Sequence, residues 1–307
     1  MYTVAIDNGY APTYEILNQP VTIMMPDGTR WMPSNSDGDF GGKSTIREAI
    51  RKSINLVAVR AIMDIVNVNQ VIDYAKRMGI ASPLPPVASL ALGSGEVSPL
   101  EMAAAFGVYA HQGVYVEPVS ILRIEDKDGN VLEENLPSQR EVLSPEVAFI
   151  MTTMLEDVVN NGTGGHVRDF FQLPAAGKTG TTSEFADAWF VGYTPQISAA
   201  AWVGFDNKSV HFTTWDGQGG RAAAPIWGRF MKYVYEDPGI GMPLEYFEKP
   251  PTVFADSICV ATKKLATDYC PEKALEYFTE KTRPPKCDKH TTARWREGEE
   301  GMGTISF

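Results

Sequence analysis

The sequence predicts an α+β fold in which an antiparallel sheet carries helices on its faces. Helix capping signals and apolar residues at helical spacing dominate the chain up to about residue 162, whereas two β-rich runs, 186–193 and 197–205, come later. Only a short turn separates the two runs, so we expect them to be neighbouring antiparallel strands. Helices followed by such strands are typical of α+β domains and not of alternating βαβ units.

Start and stop signals place the individual helices. The opening nine residues have the pattern of the last turns of a helix that ends at Gly9, with no capping residue before them. The remaining helices are predicted from a capping box at Thr45-x-x-Glu48 that opens a helical region through Ser53, from a helix between about Asn69 and Gly79, from Ser98-Pro99-x-Glu101 with a stop at Gly113, from Ser144-Pro145-Glu146 with a stop near Gly162, and from Pro225 before 226–235.

Turn signals mark the other elements and the domain boundary. Alternation around Asp128-Gly129 predicts a β-hairpin over 121–134. From about Pro238 the chain becomes rich in proline and charge, which favours a separate appendage. We therefore predict a main domain over residues 1–240 and a C-terminal extension over 241–307.

Composition restricts the function. Of the 307 residues, 44% are hydrophobic and 21% are charged, which is typical of a compact soluble domain. The formal charge of −11 argues against binding to nucleic acid or to an anionic membrane surface, because either partner requires a basic face. No apolar run approaches the roughly 20 residues that cross a bilayer, and the N-terminus lacks the pattern of a signal peptide.

The strongest chemical signal is the run Lys178-Thr179-Gly180-Thr181-Thr182, where a polar turn enters the first β-rich run. A lysine and hydroxyl groups on an edge strand can hold a substrate carboxylate through charge-assisted hydrogen bonds, and the glycine lets substrate backbone approach. A tripeptide such as Lys-Thr-Gly also occurs by chance, and then it is an ordinary strand start.

A second signal is Ser53-Ile54-Asn55 on the helical region that begins at Thr45. If the helix is interrupted there, the hydroxyl and the carboxamide can face one cleft, as a proton relay and an orienting group. Taken alone, the pair is more typical of a surface serine and a buried asparagine with satisfied hydrogen bonds.

Together these residues resemble the motifs of the penicillin-binding protein and β-lactamase superfamily, which are S-x-x-K, S-x-N and K-T-G. Longer stretches are similar to the transpeptidase domain of bifunctional, class A penicillin-binding proteins, and the similarity covers about residues 1 to 235. These stretches are ASLALGSGEVSPLE at 88–101, GTG at 162–164, AGKTGTT at 176–182, DAWFVGYTP at 187–195, WVG at 202–204 and GGRAAAPIW at 219–227.

The resemblance implies a β-lactamase/transpeptidase-like fold and an acyl-serine D,D-transpeptidase. Its substrate would be the D-Ala-D-Ala end of peptidoglycan stem peptides, and β-lactams would inhibit it covalently. Carried over by motif, Ser53 would relay a proton to the leaving group, Asn55 would orient the substrate amide and Lys178 would support the relay. Thr179 and Thr181 would bind the terminal carboxylate, beside Gly180 and Thr182, and the Thr181 N–H would form half of an oxyanion hole. No cofactor is implied.

One departure from the family pattern affects activity. The 307 residues contain no S-x-x-K, the motif that supplies the nucleophile and the general base. By the resemblance we expect that motif, its helix and the preceding strands to lie immediately before Met1. We expect the chain itself to be inactive, because loss of the nucleophile in a comparable serine enzyme costs ~10⁶ in kcat.

The cysteines are confined to the extension. Cys259, Cys270 and Cys287 permit one disulfide and leave one thiol over. Together with His290 they could also be written as a Cys₃His zinc set, but Cys259 and Cys270 lie too far apart for a zinc knuckle. We therefore expect no metal site.

The resemblance also implies a place in the cell and leaves two alternatives open. The intact protein would face the periplasm, held by an upstream transmembrane helix and joined to an upstream glycosyltransferase domain. A nucleophile-free scaffold that binds wall peptides or partner proteins is one alternative. A hydrolase of the same superfamily, in particular a D,D-carboxypeptidase, is the other.

Overall fold

The computed structural model describes residues 1–25, 28–207 and 209–292 of the chain. The α-helices in these ranges are α1 Tyr2–Asp7, α2 Ile46–Lys52, α3 Asn55–Arg60, α4 Val68–Arg77, α5 Pro99–Ala110, α6 Pro145–Asn161, α7 Gly219–Ala222 and α8 Ala224–Glu236. The strands are β1 Glu15–Leu17, β2 Ile23–Met24, β3 Arg30–Trp31, β4 Lys43–Thr45, β5 Val114–Val116, β6 Arg123–Glu125, β7 Val131–Glu134, β8 Gln139–Glu141, β9 Ala176–Thr181, β10 Asp187–Tyr193, β11 Ser198–Gly204, β12 Phe254–Cys259 and β13 Lys273–Phe278.

The central sheet has three antiparallel strands in the order β11, β10, β9. Strand β10 pairs with β11 from Asp187 opposite Gly204 to Tyr193 opposite Ser198, so the predicted pair of neighbouring strands is confirmed. The Lys178 motif lies inside β9, a strand that pairs with β10 and comes before the first of the predicted β-rich runs. Strand β9 forms one edge of the sheet.

The sheet separates two apolar cores, which confirms the predicted helices on its faces. On one face Phe190 packs against Trp227 of α8, with ring centroids 5.4 Å apart. On the other face Tyr193 lies in a larger core built from α1, α2, α5 and α6. Its buried hydroxyl is satisfied by the Thr152 hydroxyl of α6 at 2.9 Å. Alternation along one strand thus supplies both cores.

The main helices begin at the residues that the capping signals predict. The Thr45 hydroxyl accepts the Glu48 N–H at 3.1 Å at the start of α2. At α5 the capping box is complete, since Ser98 accepts the Glu101 N–H and the Glu101 carboxylate accepts the Ser98 N–H at 2.8 Å. At the start of α6 the Ser144 hydroxyl accepts the Val147 N–H at 3.3 Å. Each cap satisfies backbone donors that the first helical turn leaves unpaired.

After Ser53 the chain continues as helix further than the start signals indicate. Helix α3 runs on into a π-helical turn at Ala61–Ile65, and α4 begins at Val68 with Asn67 as its cap. Within the described residues no single helix is long and apolar enough to cross a membrane, and Asn55–Ile65 with Val68–Arg77 pass that test only as a pair bent by 101°.

The C-terminal hairpin, β12 and β13, packs against the helical side of the main body. The Tyr277 ring meets Phe149 of α6 edge-on at 5.4 Å. Nearby, Arg47 of α2 donates from Nε and Nη2 to the buried carboxylate of Glu276, at 2.7 and 2.5 Å. Arg47 also donates to Asp157 of α6 at 2.6 Å. One guanidinium therefore joins the hairpin to two helices. The boundary between residues 240 and 241 stays a prediction.

The cysteines differ from their expected pairing. Cys259, Cys270 and Cys287 are buried free thiols in the structure, and no disulfide joins them. Their sulfur atoms gather with a ring nitrogen of His290 into one cluster. The fold brings Cys259 and Cys270 together across the loop that joins β12 to β13, and the expectation of no metal site stays a prediction.

Candidate active site

The first part of the site is the break between α2 and α3. Ser53 ends α2 in a left-handed conformation with φ of 57°, and α3 starts two residues later at Asn55. A left-handed residue other than glycine costs about 1–2 kcal/mol, so such strain marks a position of possible function. The structure confirms the interruption on which the shared cleft depends.

The second part is Lys178 on β9. Its ammonium nitrogen Nζ donates to Ser53 Oγ at 2.8 Å and to the Thr179 carbonyl oxygen at 3.0 Å. Two motifs far apart in sequence therefore meet in one place. Although part of the side chain remains exposed, the surrounding protein strips water from the ammonium, and this burial lowers the pKa of Lys178 to about 8.

The threonines of the motif lie beside the lysine, and the Lys178 Nζ is also 3.4 Å from the Thr179 hydroxyl oxygen. The Thr179 hydroxyl shares a hydrogen bond with the Thr163 hydroxyl at 2.7 Å. The Thr181 hydroxyl accepts the Gly219 N–H at 3.0 Å. Both hydroxyls can still rotate to a ligand, since a hydroxyl has one donor and two acceptor positions.

Strand β9 presents its free edge beside these side chains. In the described part of the chain it pairs only with β10, so its other side offers backbone N–H and C=O groups. An extended peptide can bind to such an edge by adding a strand. We call the space between the α2–α3 break and this edge the groove.

The glycine of the motif is explained first by packing. A Cβ on Gly180 would lie 3.2 Å from Cβ of Trp189, the residue opposite it on β10. Gly177 is tighter, because its Cβ would meet the Phe190 ring at 2.6 Å. The close approach of substrate backbone at Gly180 stays a prediction.

Thr182 has a local partner in the turn that follows the motif. Its hydroxyl accepts the Asp187 N–H at 2.7 Å across the turn from β9 to β10. This bond sets the turn that follows the motif, and a role of Thr182 in substrate binding stays a prediction.

Asn55 is held by a loop whose role was not predicted. Its Nδ2 donates to the Ser34 carbonyl oxygen at 2.9 Å, while Asn35 Oδ1 accepts the Leu56 N–H at 3.0 Å. With Nδ2 engaged, the Oδ1 of Asn55 is the atom suited to accept an amide N–H from a ligand.

The turn at 162–164 carries part of the family resemblance, but sequence reasoning assigned Thr163 no role in the site. The Thr163 N–H donates to the Arg51 carbonyl oxygen at 3.2 Å, and its hydroxyl meets Thr179. Gly220 fits against this turn, since its Cβ would lie 2.4 Å from the Thr163 carbonyl oxygen. Thr163 thus joins the end of α2 to β9. Its place between two glycines was the available signal.

Gly219 brings α7 onto the sheet. A Cβ there would lie 2.2 Å from the Gly180 carbonyl oxygen and 2.3 Å from that of Trp189. Only glycine allows this approach, which delivers the Gly219 N–H to Thr181. The site as a whole offers a desolvated lysine, hydroxyl groups and a free strand edge, a set suited to holding a carboxylate and moving a proton.

Comparison with known proteins finds one family. The family model described as "Penicillin binding protein transpeptidase domain" matches residues 1–232. Penicillin-binding protein 1A of Aquifex aeolicus is 38% identical over 260 residues, covering 84% of this chain and 34% of its own length. Penicillin-binding protein 1A of Neisseria meningitidis is 34% identical over 255 residues, covering 79% and 32%. The chain spans about a third of the length of these curated relatives.

Solved structures agree in fold. The crystal structure of penicillin-binding protein 1A from Haemophilus influenzae superposes with a TM-score of 0.83 at 24% identity, covering 92% of this chain and 47% of that one. PonA1 from Mycobacterium tuberculosis, in complex with penicillin V, gives a TM-score of 0.69 at 26% identity, covering 81% and 69%. The predicted transpeptidase-like fold is confirmed.

Proposed function

Because the chain belongs to the penicillin-binding protein transpeptidase domain family, we propose that it is the substrate-binding part of a D,D-transpeptidase. That enzyme cross-links peptidoglycan stem peptides through an acyl-serine intermediate and binds β-lactams at the same place. The observation that carries the proposal is the 2.8 Å bond from Lys178 to Ser53, since it joins the S-x-N and K-T-G motifs at one groove.

The groove residues take distinct roles in this proposal. Thr179 and Thr181 hold the terminal carboxylate of the D-Ala-D-Ala end, with Gly180 and Thr182 shaping the strand around them. Asn55 accepts the N–H of the substrate amide. The free edge of β9 pairs with the extended peptide and directs its carboxylate toward the threonines.

Ser53 and Lys178 serve the proton transfer. A serine hydroxyl attacks the penultimate carbonyl and gives its proton to the lysine of S-x-x-K. The C–N bond to the terminal D-alanine then breaks, and the leaving amine must gain a proton. Ser53 passes a proton to that amine, and Lys178, with its pKa near 8, keeps the hydroxyl oriented and supports the transfer electrostatically. The amine of a second stem peptide then displaces the serine.

The 307 residues by themselves do not acylate in this proposal, because they contain no S-x-x-K to supply the attacking serine and its base. Incubation with a fluorescent penicillin, followed by denaturing electrophoresis, should leave the chain unlabelled. A stable adduct on the chain would contradict this part of the proposal.

Substrate binding can be tested without catalysis. A peptide ending in D-Ala-D-Ala should perturb amide signals of β9 in an NMR titration, and its amidated form should bind more weakly because the carboxylate is the main anchor. Thr181→Val should weaken binding of the free acid more than of the amide. Equal affinity for the two peptides would refute carboxylate recognition by the threonines.

A test of turnover requires the coding sequence of the natural gene, including any part that precedes residue 1. If that frame encodes S-x-x-K before residue 1, its product should form the penicillin adduct and transfer the acyl group to an added amine. Preference for water over amine would favour a D,D-carboxypeptidase. Peptide binding with no acylation by the natural product would favour a scaffold that recognises wall peptides.

The surroundings of the intact protein form part of the proposal. The matched relatives are about three times as long as the aligned region, which leaves room for a membrane anchor and a glycosyltransferase domain. We place the transpeptidase on the periplasmic side of the inner membrane, where stem peptides are cross-linked.

A further inference from the structure

The cysteine cluster consists of Cys259, Cys270, Cys287 and His290, and it lies outside the groove. One potential ligand atom from each residue falls within 4.8 Å of all the others, and all four residues are buried. The His290 ring nitrogen Nδ1 lies 3.2 Å from Cys259 Sγ and 3.5 Å from Cys287 Sγ. Three thiols and one imidazole therefore converge on one point.

Three separate segments of the C-terminal hairpin supply these ligands. Cys259 is the last residue of β12, Cys270 lies in the loop before β13, and Cys287 and His290 follow β13. The Cys287 N–H donates to the Leu265 carbonyl oxygen at 2.7 Å, which brings the last segment against the loop. A single bound ion would therefore cross-link the three segments.

We propose that this cluster is a structural zinc site with Cys₃His coordination. Tetrahedral zinc with Zn–S of about 2.3 Å and Zn–N of about 2.0–2.1 Å places sulfur and nitrogen about 3.5 Å apart. The two measured sulfur–nitrogen distances are close to this value. A thiol–imidazole hydrogen bond accounts for one pair of atoms, but it gives no reason for four ligands to converge.

Contacts around the cluster fit thiolate ligands held in place by their surroundings. The Thr267 N–H donates to Cys270 Sγ at 3.2 Å. The Thr267 hydroxyl donates to the His290 carbonyl oxygen. An ion pair from Lys264 to Asp288, at 2.6 Å, closes the loop beside Cys287. Such outer contacts orient metal ligands and reduce the cost of assembling a site.

The four ligands complete the tetrahedral coordination of a zinc ion. A catalytic zinc keeps a position for water or substrate, whereas a structural zinc is closed by four protein ligands. On binding, the three thiols lose their protons, the imidazole stays neutral, and the complex carries one net negative charge. The burial of all four residues agrees with a closed, structural site.

The apolar cluster around the cysteines is small, which favours a bound metal as a source of stability. Its buried cluster consists of the three cysteine side chains, with Ala266 packed against them. So small an apolar cluster contributes little stability, and small units of this kind are usually held by a metal or by disulfides. Since the cysteines are not bridged here, a bound metal would supply a cross-link at the end of the hairpin away from the Arg47–Glu276 ion pair.

The test uses the full chain without an affinity tag, purified in the presence of reductant. Elemental analysis should find about one zinc per chain after dialysis, and replacement with Co²⁺ should give thiolate-to-cobalt charge-transfer and tetrahedral d–d absorption bands. Cys287→Ser and His290→Ala should lose these bands, whereas the exposed His111→Ala should keep them.

A measurement on the unmodified protein keeps the proposal falsifiable if these variants do not fold. With zinc bound, alkylation should be slow at all three cysteines, and a chelator should release three reactive thiols and lower the melting temperature. Two outcomes would overturn the proposal: a disulfide seen as one alkylated cysteine in the denatured, unreduced protein, or three thiols equally reactive with and without zinc. Neither outcome depends on transpeptidase activity.

Discussion

The ion pair between Arg47 and Glu276 should be worth several times more than an exposed pair on the same hairpin. Glu276→Gln keeps the shape of the side chain but removes its charge, at a position where the carboxylate is 3% exposed. Removing one partner of a buried pair costs about 3–5 kcal/mol. We expect the lower end, about 3 kcal/mol, because Arg47 keeps its bonds to Asp157 and to the Thr153 carbonyl oxygen.

The pKa of Arg47 agrees with this reasoning. Burial alone would lower it, yet the neighbouring Glu276 and Asp157 outweigh burial and hold the pKa above its usual value. The guanidinium therefore stays charged, and it would remain buried beside a neutral glutamine in the variant. This loss of compensation is the source of the predicted destabilisation.

Asp256→Asn is the matched control. Asp256 pairs with Arg283 at 2.8 Å, but the two side chains are 23% and 43% exposed. Exposed pairs of this kind contribute less than about 1 kcal/mol. Urea unfolding of the zinc-saturated variants compares their free energies of unfolding directly. In thermal unfolding, a loss of about 3 kcal/mol at about 2–4 °C per kcal/mol should lower the Tm of Glu276→Gln by roughly 6–12 °C. Equal losses from the two variants would refute the argument from burial.

Three further predictions concern the groove. Gly219→Ala should lower the free energy of unfolding by about 1–3 kcal/mol, because its Cβ meets two carbonyl oxygens. Gly165→Ala has open space around its Cβ and should change the free energy of unfolding by less than about 0.5 kcal/mol. Equal losses from the two variants would contradict the close packing at Gly219. Ser53→Gly should be more stable in urea than Ser53→Ala by about 1 kcal/mol, since only glycine adopts the left-handed conformation without strain, and the reverse order would contradict it. The folded-state pKa of Lys178, about 8, lies below its ordinary 10.5, so the folded protein binds fewer protons than the unfolded chain between these values. The free energy of unfolding of the wild type, measured relative to Lys178→Met, should therefore rise as the pH increases from about 8 to 10.5 and stay level below about 7; a flat difference throughout would rule out the desolvated lysine.

Local rules were sufficient for the long helices. The caps at Thr45, Ser98 and Ser144 act within one turn of backbone, so neighbouring residues determine them and sequence predicts them. The sheet strand β9 was harder to recognise, because its glycines disfavour a strand locally. They are retained for the aromatic rings of β10 that pack against them, which only the folded chain reveals.

The candidate site likewise combines features that neighbouring residues predict with features that only the folded chain reveals. The motifs at Ser53 and Lys178 are visible in sequence, but their meeting depends on the packing of both α2 and β9 against α6 and could be expected only from a resemblance. The bridging role of Thr163 and the convergence of Cys259 with Cys270 depend on contacts between distant segments, and neither spacing nor composition encodes such contacts.

The open edge of β9 has a consequence for how the protein behaves in solution. Strand edges commonly recruit other chains, and proteins usually protect them with charge, proline or a covering segment. Here the edge is six residues long and bears a lysine and two glycines, so it offers an intruding strand few apolar contacts. The features that we propose hold one short, anionic peptide thus also discourage self-association, and a variant that replaced Lys178 with an apolar residue would risk forming oligomers through this edge.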